Sequence, residues 1–217
     1  MERSVIRLTH CQKEIFCFSV PEQCPSCGEE LRGSRLQEAP VSLPSPFTNG
    51  HKTSCCLLVT PAHDNLDRDF DGAADLHTGI SNTKGVVYNY TRGGVRRDQS
   101  GWERSISVPL VRPDMFHLLA QWDQYLERFS DGPMWDPAWH RFDENNHNCF
   151  SFCLHFVNGV LAAEGRGALS RDDFTHTFIL PRMRRVSKYT TLYRHIQKHQ
   201  FYKVDRQQHA QGAEPSS

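Results

Sequence analysis

One cysteine and one distant histidine are the residues whose types and setting most suggest catalysis. Cys149 follows Asn146, His147 and Asn148, and it begins a run of apolar residues at helical spacing. A thiol at the first turn of a helix has its thiolate stabilised by free backbone amides and by the helix dipole. His77 lies far upstream in a predicted strand, from which its imidazole could deprotonate the thiol. The pair suggests nucleophilic attack on a carbonyl group.

The elements that would position this pair form an α+β pattern, with helices packed against an antiparallel sheet. Apolar alternation and turn residues predict strands at 5–8, 15–18, 55–59, 76–82, 85–91 and 105–110. Apolar residues that recur on one face predict helices at 113–129, 149–163 and 186–199. A tight turn at 82–85 joins the strand of His77 to the next strand, which contains Asn89.

Composition shifts along the chain predict three regions. Residues 1–50 would contain a hairpin, a metal-binding knuckle and a proline-rich connector at 33–49. Residues 51–204 would form the main α+β domain. Residues 205–217 are polar and are expected to form a disordered tail.

Charge and hydropathy exclude several classes of protein. The 217 residues contain 25 basic and 25 acidic side chains, so the formal net charge is zero and argues against electrostatic binding of nucleic acid. A basic segment at 182–203 is interpreted as a solvated helix face. No apolar run approaches the roughly 18 residues of a membrane span, and no signal peptide is recognised. We therefore expect an intracellular protein of the cytoplasm, the nucleus or both.

The cysteines of the first quarter predict a structural Zn²⁺ site. The chain has eight cysteines, and an intracellular chain keeps its thiols reduced. Cys24 and Cys27 form a Cys-x-x-Cys knuckle that can aim two sulfurs at one ion. His51 and Cys55 are the preferred second pair of ligands. Cys11, together with His10 on the hairpin tip, is the alternative to that second pair.

Three stretches of the main domain resemble permuted papain-like thiol hydrolases. They are 77–80, 86–90 and 146–152, and the resemblance is to the PPPDE group of desumoylating and deubiquitinating peptidases and, more distantly, to the lecithin-retinol acyltransferase group. The resemblance implies that Cys149 is the nucleophile, that His77 is the base and that Asn89 orients the imidazole. It also implies that the main-chain amide of Cys149 stabilises the oxyanion. A second donor would come from residues 146–148, and Leu76 stands where the peptidases have a tryptophan, which leaves the substrate class open.

The whole chain also resembles the makorin opposite-strand family of vertebrates, through the stretches 46–51, 75–77, 85–90 and 147–149. This second resemblance implies no particular activity. Our main hypothesis is a cysteine hydrolase that cleaves an isopeptide or acyl bond. The alternative is an inactive papain-like fold that serves as an adaptor for a ubiquitin-like or other protein partner. A nucleic-acid-binding protein, based on the knuckle and the basic C-terminal helix, is the third hypothesis.

Overall fold

The computed structural model describes residues 3–31, 36, 38–62, 70 and 75–206. The strands are β1 (Val5–His10), β2 (Lys13–Cys17), β3 (Val41–Leu43), β4 (Cys56–Pro61), β5 (Leu76–Ser81), β6 (Val87–Thr91), β7 (Gly94–Asp98), β8 (Ile106–Pro109) and β9 (Phe201–Asp205). The helices are α1 (Phe116–Ser130), α2 (Cys149–Ala163), α3 (Arg171–Phe174) and α4 (Leu180–His199). A π-helical stretch, Thr175–Ile179, connects α3 to α4. The α+β class predicted from the sequence is confirmed.

The chain divides into two compact units. The first unit consists of Met1–Ser45 and Tyr189–Ser217, and the second consists of Pro46–Lys188. The sequence analysis drew its boundaries at residues 50 and 204 instead. Strand β9 explains much of the difference, because it pairs with β2 and so belongs to the N-terminal sheet. The remainder of the expected tail, residues 207–217, lies outside the described residues.

The first unit contains an antiparallel sheet in the order β3-β1-β2-β9. Its buried apolar cluster is small and comprises Leu8, Ile15, Cys17, Cys24 and Leu31. The predicted hairpin at 5–8 and 15–18 is confirmed, and its turn consists of Cys11 and Gln12, both with positive φ. The connector contains a short edge strand, β3, which the sequence analysis had not predicted.

The second unit contains an antiparallel sheet in the order β7-β6-β5-β4-β8. Strand β4 is buried along its whole length, which agrees with its apolar sequence and its position inside the sheet. Helix α2 packs on β5 and β6 through residues that include Phe152 and Phe156, and Trp122 of α1 meets Phe156 edge to face at 5.0 Å. This core holds the beginning of α2 beside the sheet. The predicted strands of this unit are confirmed, but β7 was not predicted.

Candidate functional site

Cys149 lies at the first residue of α2, where the helix is capped from the preceding residue. The side-chain oxygen of Asn148 accepts hydrogen bonds from the amides of Phe150 and Ser151, each at 3.0 Å. Ser151 Oγ in turn accepts from the amide of Asn148 at 2.8 Å, which completes a capping box. The cap does not use the amide of Cys149, so that N–H remains oriented out of the helix N-terminus. The thiol therefore has the setting that the sequence predicted.

The structure brings His77 of β5 to this thiol. The imidazole and the thiol share a hydrogen bond, and the pair changes the pKa of both groups. Burial alone would raise the pKa of Cys149, but the hydrogen bond and charge of His77, together with contacts to Thr78, outweigh burial, and the pKa is lowered. Burial alone would lower the pKa of His77, but the interaction with Cys149 leads the contributions that raise it, and the net pKa is raised. Both shifts favour a thiolate beside an imidazolium.

Asn89 of β6 holds the other side of the imidazole. Its Oδ1 lies 2.8 Å from His77 Nε2, and its side chain is fully buried. A carbonyl oxygen can only accept, so His77 Nε2 carries a proton and donates it. In the neutral ring Nδ1 is then the nitrogen that carries a lone pair and can accept the thiol proton. The structure thus brings together the three residues for which the resemblance implied catalytic roles.

Asp98 and Trp102 complete the surroundings of the imidazole, and sequence reasoning missed both. Asp98 Oδ2 accepts from Asn89 Nδ2 at 2.8 Å and from Trp102 Nε1 at 3.3 Å. The Trp102 ring lies 5.5 Å from that of His77, measured between centroids. Asp98 ends β7, the strand that was not predicted, although the turn residues Gly93 and Gly94 after β6 are a signal for a further hairpin.

Other residues near the thiol have structural roles. Cys153 is fully buried, and burial raises the pKa of its thiol well above the ordinary value. Among the candidates for a second oxyanion donor, Asn148 uses its side-chain oxygen for the cap and its Nδ2 for the carbonyls of Asp143 and Glu144. The ring of His147 stacks on Trp135 at 4.9 Å. The assignment of the second donor therefore stays a prediction.

A separate cluster in the first unit could hold a metal ion. It consists of His10, Cys11, Cys24 and Cys27, and the four ligand atoms all lie within 4.8 Å of one another. Cys11 Sγ lies 3.7 Å from Cys24 Sγ, and Cys27 Sγ lies 3.4 Å from His10 Nδ1. The positive φ of Cys11 (43°) belongs to the tight turn that presents its side chain beside His10. The knuckle loop is closed by a bond from the amide of Gly28 to the carbonyl of Cys24 at 2.9 Å.

The outer contacts of this cluster also suit a metal. His10 is buried, and its Nε2 lies 3.5 Å from Glu29 Oε2, so a carboxylate holds the nitrogen that points away from the sulfurs. The amide of Ser26 donates to Cys24 Sγ at 3.4 Å. Burial would raise the pKa of Cys24, but hydrogen bonds from neighbouring amides and from the side chains of Cys27 and His10 lower it to about 7. The surroundings therefore favour the thiolate at Cys24, whereas burial raises the pKa of Cys11.

The sequence prediction of His51 and Cys55 as metal ligands is corrected by the structure, because both lie in the second unit with other contacts. His51 Nδ1 donates to the carbonyl of Gly85 at 2.8 Å, and Nε2 accepts from the amide of Trp102 at 3.3 Å. Both ring nitrogens are therefore occupied. Cys55 is buried, and burial together with the charges of Asp123 and Cys56 raises its pKa to about 12. The alternative ligands, His10 and Cys11, are the ones that lie with Cys24 and Cys27.

Sequence comparison places this α+β protein in a family. Residues 40–196 match the family model DUF4796 C-terminal, and residues 3–31 match DUF4796 N-terminal. The human protein named MKRN2 opposite strand protein is 49% identical over 213 residues, which cover 98% of this chain and 95% of that protein. The chain therefore belongs to the DUF4796 family, and it is a relative of this opposite-strand protein. The name of that relative describes no activity.

No solved structure matches the chain significantly. Within the described part of the chain, no helix has the length and apolar character that crossing a membrane would need.

Proposed function

We propose that the second unit is a cysteine hydrolase with a permuted papain-like fold, which cleaves an isopeptide or an ester bond. The observation that carries the proposal is the continuous chain of contacts from Cys149 through His77 to Asn89. A nucleophile, a base and a residue that orients the base define this class of site by geometry, whatever their order in the sequence.

The reaction follows from these positions. Cys149 gives its proton to His77 Nδ1, and the thiolate attacks the carbonyl carbon, while the amide of Cys149 donates to the oxyanion at the helix N-terminus. His77 then protonates the leaving amine or alcohol, which leaves a thioester on Cys149. A water molecule next gives a proton to His77 and attacks the thioester. Collapse of that intermediate releases the carboxylic acid and returns the proton to the Cys149 sulfur.

The test is covalent capture of Cys149 by a substrate-like electrophile. We expect ubiquitin or SUMO with a C-terminal vinyl ester to form an adduct on Cys149, located by peptide mass spectrometry. Cys149→Ala is expected to abolish the adduct, whereas Cys17→Ser, at a buried thiol of the first unit, is expected to retain it. Binding of the ubiquitin-like protein without any adduct would favour the adaptor alternative over the hydrolase.

We also propose that the first unit binds a structural Zn²⁺ through His10, Cys11, Cys24 and Cys27. A tetrahedral ion with Zn–S bonds of about 2.3 Å and Zn–N bonds of about 2.0 Å separates two sulfurs by about 3.8 Å and a sulfur from a nitrogen by about 3.5 Å. The distances in the cluster are 3.7 Å between Cys11 Sγ and Cys24 Sγ and 3.4 Å between Cys27 Sγ and His10 Nδ1. Both distances support a tetrahedral site with three sulfurs and one nitrogen.

The zinc site would compensate for the small apolar core of the first unit. Protein purified with zinc present should contain one equivalent, measured by plasma mass spectrometry, and Co²⁺ substitution should give the absorption of a tetrahedral site with three thiolates. Cys27→Ser should lose the metal, whereas Cys55→Ser and His51→Gln should retain it. A disulfide between Cys11 and Cys24 in place of bound metal, under reducing purification, would overturn the proposal.

A further inference from the structure

We propose that Asp98 is a positioning residue for the thiol site, and that it acts on His77 through Asn89. In this role Asp98 fixes the side-chain amide of Asn89, and Asn89 in turn fixes the tautomer in which His77 Nδ1 faces Cys149. The inference deepens the proposed hydrolase function and rests on it. The sequence analysis gave no role to Asp98, and the resemblance to papain-like hydrolases assigns none.

The position of Asp98 follows from the register of two strands. Val87 of β6 lies opposite Asp98 of β7, and Asn89 lies two residues further along β6. Asn89 and Asp98 are therefore diagonal neighbours on one face of the sheet, a separation that polar side chains can bridge. The side chain of Asp98 is only 10% exposed, so its contacts are made largely away from water.

The orientation of Asp98 determines which hydrogen bonds Asn89 and His77 form, because carboxylate and amide oxygens only accept and an amide nitrogen only donates. An ionised carboxylate only accepts, so the group that Asn89 turns toward Asp98 Oδ2, at 2.8 Å, is its Nδ2 amide. Asn89 Oδ1 must consequently face His77 Nε2, at 2.8 Å, and Nε2 must carry the proton. Without Asp98, the amide of Asn89 could rotate and present Nδ2 to the ring. The opposite tautomer, with a proton on Nδ1 facing the thiol, would then be favoured.

Two donors hold Oδ2 of the carboxylate in this orientation, Asn89 Nδ2 at 2.8 Å and Trp102 Nε1 at 3.3 Å. Arg96 Nε donates to the other oxygen, Oδ1, at 3.2 Å, from a side chain that is largely exposed. Trp102 reaches this position because Gly79 has no side chain, since a Cβ there would lie 3.0 Å from the Trp102 ring. The fixed negative charge also favours the imidazolium of His77, in the same direction as the hydrogen bonds.

The competing explanation is that Asp98 only pairs with Arg96 at the sheet surface. The Arg96 side chain is 62% exposed, so water screens its end of the pair with Asp98. Arg96→Gln therefore separates the two explanations, because it removes the ion pair and keeps the contacts of Asp98 with Asn89 and Trp102.

Four charged or titratable groups can affect the protonation of His77 and Cys149. Cys149 and Asp98 act on His77 directly, Arg96 pairs with Asp98, and Cys153 lies one helical turn after Cys149.

The first measurement reads the tautomer of His77 without any turnover. Two-bond ¹H–¹⁵N spectra of Cys149→Ala protein at pH 9 should show His77 with its proton on Nε2, and the signals are assigned by their loss in His77→Ala. Adding Asp98→Ala should shift the ¹⁵N values toward a mixture of both tautomers. Asp98→Asn, which keeps an acceptor oxygen and nearly the same shape, should retain the Nε2 tautomer. Arg96→Gln should also retain it.

The second measurement is the rate at which iodoacetamide alkylates Cys149 across pH, followed by peptide mass spectrometry. We expect Asp98→Ala to slow alkylation at pH 6.5 by about tenfold, which corresponds to one pKa unit, and Asp98→Asn to slow it less. Asp131→Asn is the matched control. It removes a carboxylate that pairs at 2.7 Å with Arg97, the residue before Asp98 in β7. This control and Arg96→Gln should leave the rate unchanged.

The outcomes separate the positioning inference from the proposed function. An unchanged tautomer in Asp98→Ala, or an equal loss of rate in Arg96→Gln, overturns the role of Asp98. If alkylation of Cys149 is insensitive to His77→Ala, the proposed hydrolase fails, and the tautomer spectra still decide whether Asp98 positions His77. If Asp98→Ala does not fold, the nearly isosteric Asp98→Asn must still lower the rate relative to Arg96→Gln.

Discussion

The two units each place a histidine against cysteine sulfur, but they surround that pair differently. In the first unit His10 Nδ1 meets three sulfurs that converge within 4.8 Å, whereas in the second unit His77 meets the single sulfur of Cys149. Several soft donors around one point favour a cation, while one thiol beside one base favours a nucleophile. The number of converging sulfurs, more than the presence of a Cys–His pair, is therefore the basis on which we propose a metal for the first unit and catalysis for the second.

The outer contacts of the two histidines are similar and extend the comparison. Each ring directs its second nitrogen to an oxygen acceptor, which is Glu29 for His10 and Asn89 for His77. The acceptor at the thiol site is neutral and is backed by the carboxylate of Asp98, whose side chain is only 10% exposed, whereas Glu29 is largely exposed. A metal site needs the outer acceptor mainly to orient its ligand, but the catalytic pair also needs it to keep Nδ1 ready for a proton.

Removal of the metal is the prediction with the largest expected effect. Structural zinc contributes on the order of 10 kcal/mol of apparent binding energy in small domains. We therefore expect a strong chelator to abolish the slow hydrogen exchange of β1, β2 and β9 in the first unit. Alkylation of Cys149 should proceed at the same rate, because the mechanism proposed for that thiol involves no metal. Unchanged exchange in β1 and β2 after proven loss of zinc would show that the first unit does not depend on a metal.

Loss of the base is the second prediction, and it concerns the pH dependence of the thiol. The pKa of Cys149 is lowered and that of His77 is raised, so the thiolate persists to lower pH than in an ordinary cysteine. Alkylation should fall only when the pH drops through that lowered pKa. In His77→Ala the effect of burial remains, the pKa of Cys149 rises, and alkylation at pH 6.5 should slow by tenfold or more, about one pKa unit.

The control for this prediction is His176→Ala, which removes an exposed histidine of the same unit. It should leave the pH profile of Cys149 unchanged. Equal profiles for the wild type and His77→Ala would show that His77 does not activate Cys149. The contrast between a metal site in one unit and an activated thiol in the other would then no longer hold.

The third prediction tests the outer contact of the metal site and has the smallest effect. Glu29→Gln removes the charge beside His10 Nε2, and outer-shell changes at metal sites cost about 10- to 100-fold in affinity. Because the Glu29 side chain is 69% exposed, we expect the lower end of that range. Competition with a chromophoric zinc chelator measures the change, and Glu30→Gln is the neighbouring control. A loss as large as that of Cys27→Ser would mean that Glu29 itself binds the metal.

Much of the second unit could be predicted because its signals are local. The helix that begins at Cys149 follows from apolar spacing and from the capping residue Asn148, and the strands of His77 and Asn89 follow from a turn with Gly85 at positive φ. Strand β7 has Val95 followed by three charged residues and lacks the apolar alternation on which strand prediction depends. Asp98 was missed with the strand, because its role exists only through the register with β6.

The proposed metal ligands show what the sequence could not predict. The knuckle of Cys24 and Cys27 is a local motif, but the second pair of ligands depends on which loop folds over it. His51 and Cys55 had a suitable spacing, yet His51 is held by the turn at Gly85 and Cys55 is buried in the second unit. The hairpin turn at Cys11 brings His10 and Cys11 to the knuckle instead. The spacing of residues in the sequence does not show which of two loops approaches the knuckle.

The sequence by itself determined the α+β class, the helix that begins at Cys149 and the residue types able to do chemistry, because periodicity, capping and turn preferences are local properties. Only the tertiary structure decided which of these residues meet. Strand register joined Asp98 to Asn89 and so to His77, and a hairpin turn chose His10 and Cys11 over His51 and Cys55. Such contacts join residues that are distant in sequence, and they form only when the core and the sheet hold their elements in one arrangement.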